Sequence, residues 1–214
     1  MEIIKSISPF LPSAFAALVG AIAGAFAAFY LGRCQQRKDK KEKNQAALLR
    51  AYIALSLQSN HIEKVQNYFL EGVKKDPERH RKIGILYYDF EQVPRVDFDA
   101  ISFVALSSSP KLIQKMYVAE GNYNAFVIGL KKLNLLKEKH SDQISQSNND
   151  EGSQRSPLKY LIIKHYTDKL YDSVDRALPR IKSVMNEVEK FAKNKFKNMK
   201  CLKWDEFRFN DEKT

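Results

Sequence analysis

A histidine and two carboxylates are spaced for one face of a helix in the C-terminal third of the chain. His165 is followed by Asp168 and Asp172, about one and two helical turns further on, in the stretch IKHYTDKLYD. A histidine–carboxylate pair of this kind can move protons. No nucleophile and no oxyanion donors accompany it in the sequence. A histidine on the surface or the seam of a helical bundle is therefore the simpler interpretation.

Acidic residues form a second candidate group in YYDFEQVPRVDFD, where Asp89, Glu91, Asp97 and Asp99 occur. No histidine and no second carboxylate motif stands around them at metal-ligand spacing, so solvated loop charges are expected here rather than a metal site. The sequence also has no Gly-rich phosphate loop, no GxSxG and no HExxH. These patterns predict a protein that is not an enzyme, with no metal, no cofactor and no evident small-molecule substrate.

An uncharged stretch follows the first nine residues. From Phe10 to Leu31 no side chain carries a charge, and a membrane span needs about 20 apolar residues. We therefore predict a transmembrane helix over residues 10–32, preceded by a short N-terminal segment over 1–9. A cleaved signal peptide is the less favoured alternative, because the stretch is too long and Arg33 breaks the lipoprotein-like box LGRC.

Small residues recur every fourth position within this stretch. Residues four apart share one face of a helix, and a column of glycine and alanine lets two helix backbones approach closely. This pattern predicts self-association of the helix in the bilayer, although alanine and glycine are also common in membrane helices. The predicted self-association face consists of Ala16, Gly20, Gly24, Ala28 and Gly32.

Basic residues follow the span directly, in a juxtamembrane segment over 33–47. Six of them form a cluster that can contact anionic lipid and that sets the topology: Arg33, Arg37, Lys38, Lys40, Lys41 and Lys43. The positive-inside rule predicts a single-pass protein of the inner (plasma) membrane, with its N-terminus outside and its C-terminal domain in the cytoplasm. Because this cluster explains part of the net charge of +11, nucleic-acid binding is not the favoured explanation of that charge.

Helical periodicity dominates the rest of the chain. We expect a first helical part over 48–140, a flexible loop over 141–156, and a C-terminal helix with a docked tail over 157–214. The clearest element begins at Pro110, with Ser109 as its cap. Its apolar residues alternate four and three apart and form a helix seam: Leu112, Met116, Ala119, Tyr123, Phe126, Leu130 and Leu133. The predicted fold class is all-α, with one transmembrane helix and a cytoplasmic antiparallel helical bundle.

Two stretches resemble small bacterial membrane proteins with a single anchor. Residues 96–134, VDFDAISFVALSSSPKLIQKMYVAEGNYNAFVIGLKKLN, resemble a pattern in which a short helix precedes a Pro-started helix with Ala119 and Tyr123 at its centre. Residues 166–184, YTDKLYDSVDRALPRIKSV, resemble the C-terminal helix of such proteins. They include membrane effectors encoded beside retron reverse transcriptases in phage defence.

This resemblance implies a toxin-like function. Partners would hold the protein silent, and its release would damage the inner membrane of an infected cell. The implied partners are membrane lipid, further copies of the chain, and a protein or a complex of reverse transcriptase with nucleic acid. The alternative function is a scaffold or regulator that holds a cytoplasmic partner at the membrane.

Overall fold

The computed structural model describes residues 10–86, 93–107, 109–147 and 157–196. Within these ranges the regular elements are helices, and no strand occurs, which confirms the all-α prediction for them. The long helices are α1 (Phe10–Val65), α4 (Pro110–Ser147) and α5 (Pro157–Lys195), and the short ones are α2 (Arg79–Lys82) and α3 (Phe103–Leu106). The chain divides into a first unit over residues 1–45 and a second unit over residues 46–214.

The first unit consists, in its described part, of the N-terminal portion of α1. Its side chains from Phe15 to Lys43 are exposed, including the large apolar ones. By length and composition this is the single described helix that is able to cross a membrane, and none of its most apolar window is buried within the protein. Helix α1 continues without a break from the predicted span into the basic segment.

The second unit has its core between α1, α4 and α5. After Val65 the first helix widens into a π turn (Gln66–Leu70) and then tightens into a 3₁₀ turn (Glu71–Val73), and Pro77 lies just beyond. The buried apolar residues of α1 include Leu48, Leu55 and Ile62, which recur at helical spacing as expected for the inward face of an amphipathic helix.

Contacts between the long helices show their relative directions. Lys115 of α4 pairs with Glu187 of α5 at 2.6 Å, and Lys132 lies over the Tyr166 ring at 4.8 Å. The later residue of α4 therefore meets the earlier residue of α5, so these helices run in opposite directions. For α1 and α4 the later residue of one helix meets the later residue of the other. Gln58 contacts Glu120, and His61 contacts Tyr123. The antiparallel arrangement predicted for the bundle is thus not confirmed for α1 and α4, which run the same way.

The connection between α1 and α4 explains this shared direction. Leu86 lies beside Asn134, near the C-terminal half of α4, and Arg95 lies beside Glu120, nearer its start. The chain therefore returns along α4 before it begins that helix at Pro110. The Asn134 side chain accepts from the Leu86 N–H at 3.0 Å and donates to the Leu86 carbonyl at 2.7 Å. These two hydrogen bonds satisfy the backbone N–H and carbonyl of Leu86, which is buried.

The predicted loop over 141–156 is wrong for its first residues. Helix α4 continues to Ser147, and residues 148–156 lie outside the described ranges. The physical reason is the absence of glycine and proline between Ser141 and Asn149, so polar composition alone did not end the helix. The predicted docked tail over residues 197–214 also lies outside the described residues.

The apolar side chains of α5 are not all buried. Leu161 and Ile162 are exposed, whereas Ile163, Leu170 and Val174 are buried. Further along, Ile181 and Val188 are buried. The first turns of α5 therefore leave apolar side chains on the outer surface of the second unit.

Candidate functional site

The small-residue face of α1 is open along its length. Ala16, Gly20, Gly24, Ala28 and Gly32 are all exposed on this helix. Apart from the neighbouring backbone of the helix itself, a Cβ atom placed on Gly20, Gly24 or Gly32 would meet no atom of the described residues within 4 Å. The single chain therefore has the space that a second helix would need for close approach.

Large apolar side chains surround this face and are equally uncovered. Phe26 is 71% exposed and Ile22 is 50% exposed. A contiguous apolar surface of this kind is unfavourable in water and marks a membrane or protein contact. The geometry of the first unit suits lipid, a neighbouring apolar helix, or both.

The basic cluster lies directly after this apolar stretch on the same helix. Its six residues are all exposed: Arg33, Arg37, Lys38, Lys40, Lys41 and Lys43. The Arg33 guanidinium lies 5.0 Å from the centre of the Phe29 ring, a cation–π contact at the point where the apolar side chains give way to charged ones. The cations are thus accessible to anionic headgroups. They are also the kind of residue on which the positive-inside rule depends.

The helix seam of α4 forms the centre of the second unit. All of its residues are buried: Leu112, Met116, Ala119, Tyr123, Phe126, Leu130 and Leu133. The seam is therefore part of the core. Its Tyr123 also takes part in the polar contacts described next.

A buried polar cluster joins α1, α4 and the connection between them. Gln58 Nε2 donates to Glu120 Oε2 at 2.7 Å and to the Pro94 carbonyl at 3.1 Å. Arg95 Nη1 donates to the other carboxylate oxygen of Glu120 at 3.2 Å. Gln58 and Glu120 are buried, so their mutual hydrogen bond is protected from competing water. This cluster holds the registration of α1 against α4.

His61 extends the cluster by one turn of α1. Its Nδ1 lies 2.7 Å from the Tyr123 hydroxyl, and its ring meets Phe126 edge to face at 5.6 Å. Burial, reinforced by the nearby Lys64 charge, lowers the pKa of His61 from 6.5 to about 4. The imidazole is therefore neutral at neutral pH and acts there as a core side chain.

Sequence reasoning missed this cluster, because its members are far apart in the chain. The partners of Gln58 and His61 lie about sixty residues further on. One signal was present: Gln58, Ser59 and His61 interrupt an otherwise apolar face of α1, and polar residues on an inward face need partners.

The low pKa of His61 makes the stability of the second unit depend on pH. The unfolded chain takes up the proton near pH 6.5, whereas the folded chain resists it down to about pH 4. We expect the stabilisation to be complete above pH 6.5 and to be lost as the pH falls to about 4. The loss is about 2–3 kcal/mol from this residue. Thermal unfolding of the full chain in detergent between pH 7.5 and 4.5, followed by circular dichroism, measures it.

A matched pair of variants assigns that pH dependence. His61→Gln should reduce the fall in melting temperature, since a glutamine at position 61 does not take up a proton. His165→Gln should leave the fall unchanged, because His165 is exposed. Equal pH profiles for wild type and His61→Gln would contradict the assignment.

The remaining candidates for chemistry are not brought together. Asp168 pairs with Arg79 at 2.6 Å, whereas the ring that contacts His165 is that of Tyr166. Asp97 accepts from the Ala100 N–H at 3.0 Å and so closes a turn before α3. Asp89 and Glu91 lie outside the described residues. Across the described ranges, no group of three or more histidine, cysteine or acidic residues is placed to hold a metal ion.

No family model, curated protein or solved structure matches this chain. The resemblance to retron-associated membrane effectors therefore stays a prediction. What can be said about function depends on the surfaces described above. The most distinctive of these is the exposed apolar portion of α1.

Proposed function

We propose that this protein is a membrane-anchored helical effector that acts by association of its N-terminal helix in the bilayer. One observation carries the proposal. The apolar portion of α1 is uncovered, and its small-residue face has room for another backbone at Gly20 and Gly24. An apolar helix of this length whose side chains are left exposed by the described residues is suited to lipid and to copies of itself.

The proposed topology follows from charge. The cations from Arg33 to Lys43 stand after the span, and Lys5 is the sole basic side chain before it. Positive-inside logic places the second unit, a helical bundle, in the cytoplasm of a single-pass inner-membrane protein. In this proposal the bundle binds a cytoplasmic signal or partner, and the membrane helix acts on the bilayer.

The proposed effect is loss of the membrane barrier. In keeping with the resemblance to retron-associated effectors, a cytoplasmic partner such as a reverse transcriptase complexed with nucleic acid keeps the protein silent. Release of the second unit then allows the small-residue faces of several helices to meet. The assembly perturbs the inner membrane and stops the infected cell.

A tethered scaffold is the second candidate function, and a separate surface favours it. Large apolar side chains are exposed on the outside of α4 and at the start of α5, namely Ile128, Leu135, Leu158 and Leu161. Exposed side chains of this size and apolarity are available for protein contacts. A scaffold would use this surface to hold a partner and would leave the membrane intact.

Induced expression separates the two functions. We expect wild-type protein to collapse the membrane potential, measured with a potential-sensitive dye, and to stop growth. The double variant Gly20→Leu/Gly24→Leu should lose both effects and should lose self-association in a membrane two-hybrid assay. A Cβ atom at either glycine meets no described atom within 4 Å beyond the nearby turns of its own helix, so we expect the change to act on contacts between chains.

The matched control alters the opposite face of the same helix. Ile22→Leu/Phe26→Leu keeps the span apolar and should retain association and depolarisation. Healthy growth and full potential at high expression of the wild type would reject the effector and leave the scaffold. Association that survives the double glycine substitution would reject the small-residue face.

A further inference from the structure

The second unit carries a basic groove at one end. The groove has a volume of about 900 Å³ and lies between the start of α4 and the last turns of α5. Its wall carries Lys111, Lys115, Lys190 and Lys195, with Glu187 as the acidic residue and Phe191 as an apolar one. Cations thus outnumber acids on the wall, and the groove attracts anionic groups.

Most of this positive charge is not neutralised within the described chain. Lys115 is paired with Glu187 at 2.6 Å. For Lys111, Lys190 and Lys195, no ion pair with a described residue occurs. All three are exposed. Their ammonium groups are therefore free to donate to phosphate oxygens, and each retains its full charge for long-range attraction.

The place of the groove within the second unit is decided by the direction of the helices. Gln58 of α1 contacts Glu120 of α4, and the two helices run in the same direction. Ala46, which comes earlier in α1, and Pro110, at the start of α4, therefore lie at the same end of the second unit. Helix α5 runs the opposite way, so its last residues reach that same end. The groove is thus at the end of the second unit where Ala46 and Pro110 lie.

We propose that this groove binds the phosphate headgroups of anionic membrane lipids. The occupant follows from the excess of lysines on the wall and from the proposed membrane anchor of the same chain, which keeps anionic lipid at a high local concentration. This inference rests on the proposed membrane anchor and extends it. The juxtamembrane cluster then supplies one lipid contact, and the folded unit supplies a second.

The experiment uses the full chain in nanodiscs. Neutral discs contain phosphatidylcholine alone, and anionic discs contain phosphatidylcholine with phosphatidylglycerol. Hydrogen–deuterium exchange is followed in peptides covering residues 109–116 and 188–196. We expect exchange in both peptides to slow several-fold in anionic discs relative to neutral ones, and the difference to vanish at high salt, where charge attraction is screened.

Matched charge reversals test the groove itself. Lys111→Glu/Lys190→Glu/Lys195→Glu should remove the difference between the two kinds of disc. Lys139→Glu/Lys164→Glu/Lys169→Glu changes the charge equally on exposed lysines nearer the opposite end and should preserve the difference. Circular dichroism of both variants checks that the helices remain.

Three results would overturn the proposal. Equal exchange of the wild type in both kinds of disc would mean that lipid does not occupy the groove, whether or not another segment of the chain covers it. Persistence of the difference in the groove variant would place lipid binding elsewhere. Protection by a short RNA duplex in neutral discs, without protection by anionic lipid, would assign the groove to nucleic acid.

The anchor and the groove fail in distinguishable ways. A chain that does not co-elute with discs lacks the proposed membrane span, and the reason for placing lipid at the groove is then lost as well. A chain that enters both kinds of disc but shows no lipid-dependent protection retains the anchor and loses only the groove.

Discussion

Arginine at Val19 and Ile22 is expected to release the protein from the membrane. Both side chains are exposed in the apolar portion of α1, so the double variant Val19→Arg/Ile22→Arg removes no contact within the chain. Each arginine near the centre of a span opposes insertion by about 2.5–3.5 kcal/mol. Together they lower the equilibrium constant for insertion by about four to five orders of magnitude. Flotation of cell membranes after carbonate extraction measures the effect.

The same charge placed just outside the span is the control. Gln35→Arg/Gln36→Arg adds two arginines to the exposed basic segment, where cations are compatible with the cytoplasmic membrane surface. This variant should float with the membranes as the wild type does. If the Val19→Arg/Ile22→Arg protein also floats, the apolar portion of α1 is held by something other than the lipid core.

Truncation of Phe126 is expected to be the most destabilising single change in the second unit. Phe126 is fully buried on the α4 seam, and its ring meets the His61 ring at 5.6 Å. Phe126→Ala removes this packing and leaves a cavity beside a buried polar pair, at about 3–5 kcal/mol. Urea unfolding of the full chain in detergent, followed by circular dichroism, should show a lower midpoint with an unchanged slope.

An apolar residue two positions further along α4 serves as the comparison. Ile128 is 65% exposed, so Ile128→Ala should change the free energy of unfolding by no more than about 0.5 kcal/mol. A similar loss of stability in both variants would mean that Ile128 is covered in solution. A negligible loss in Phe126→Ala would contradict the seam as the centre of the core.

The local features of this protein could be read from the sequence. The uncharged stretch from Phe10 and the alternating apolar residues after Pro110 predicted helices that the structure contains. Such signals are local, because hydropathy and helical spacing depend on residues within a few turns of one another. The same local view placed a loop at 141–147, where low hydrophobicity was taken for the end of a helix that in fact continues.

The polar contacts required the tertiary structure. Spacing places Asp168 about one turn from His165, but Asp168 pairs with Arg79, which is far away in the sequence. Gln58 and Glu120 come together only because the connection returns along α4 and brings α1 and α4 into the same direction. No short-range pattern encodes that return, since it depends on which apolar faces meet and on which buried polar groups then find partners.

The sequence by itself therefore determined an all-helical chain with an apolar stretch followed by cations, because composition and periodicity act over neighbouring residues. Only the tertiary structure decided that α1 and α4 run in parallel, that Gln58, His61, Glu120 and Tyr123 share one buried cluster, and that lysines from α4 and α5 line one groove. These features join residues about sixty or more positions apart. They exist only once the packing of the core has set the registration of the helices.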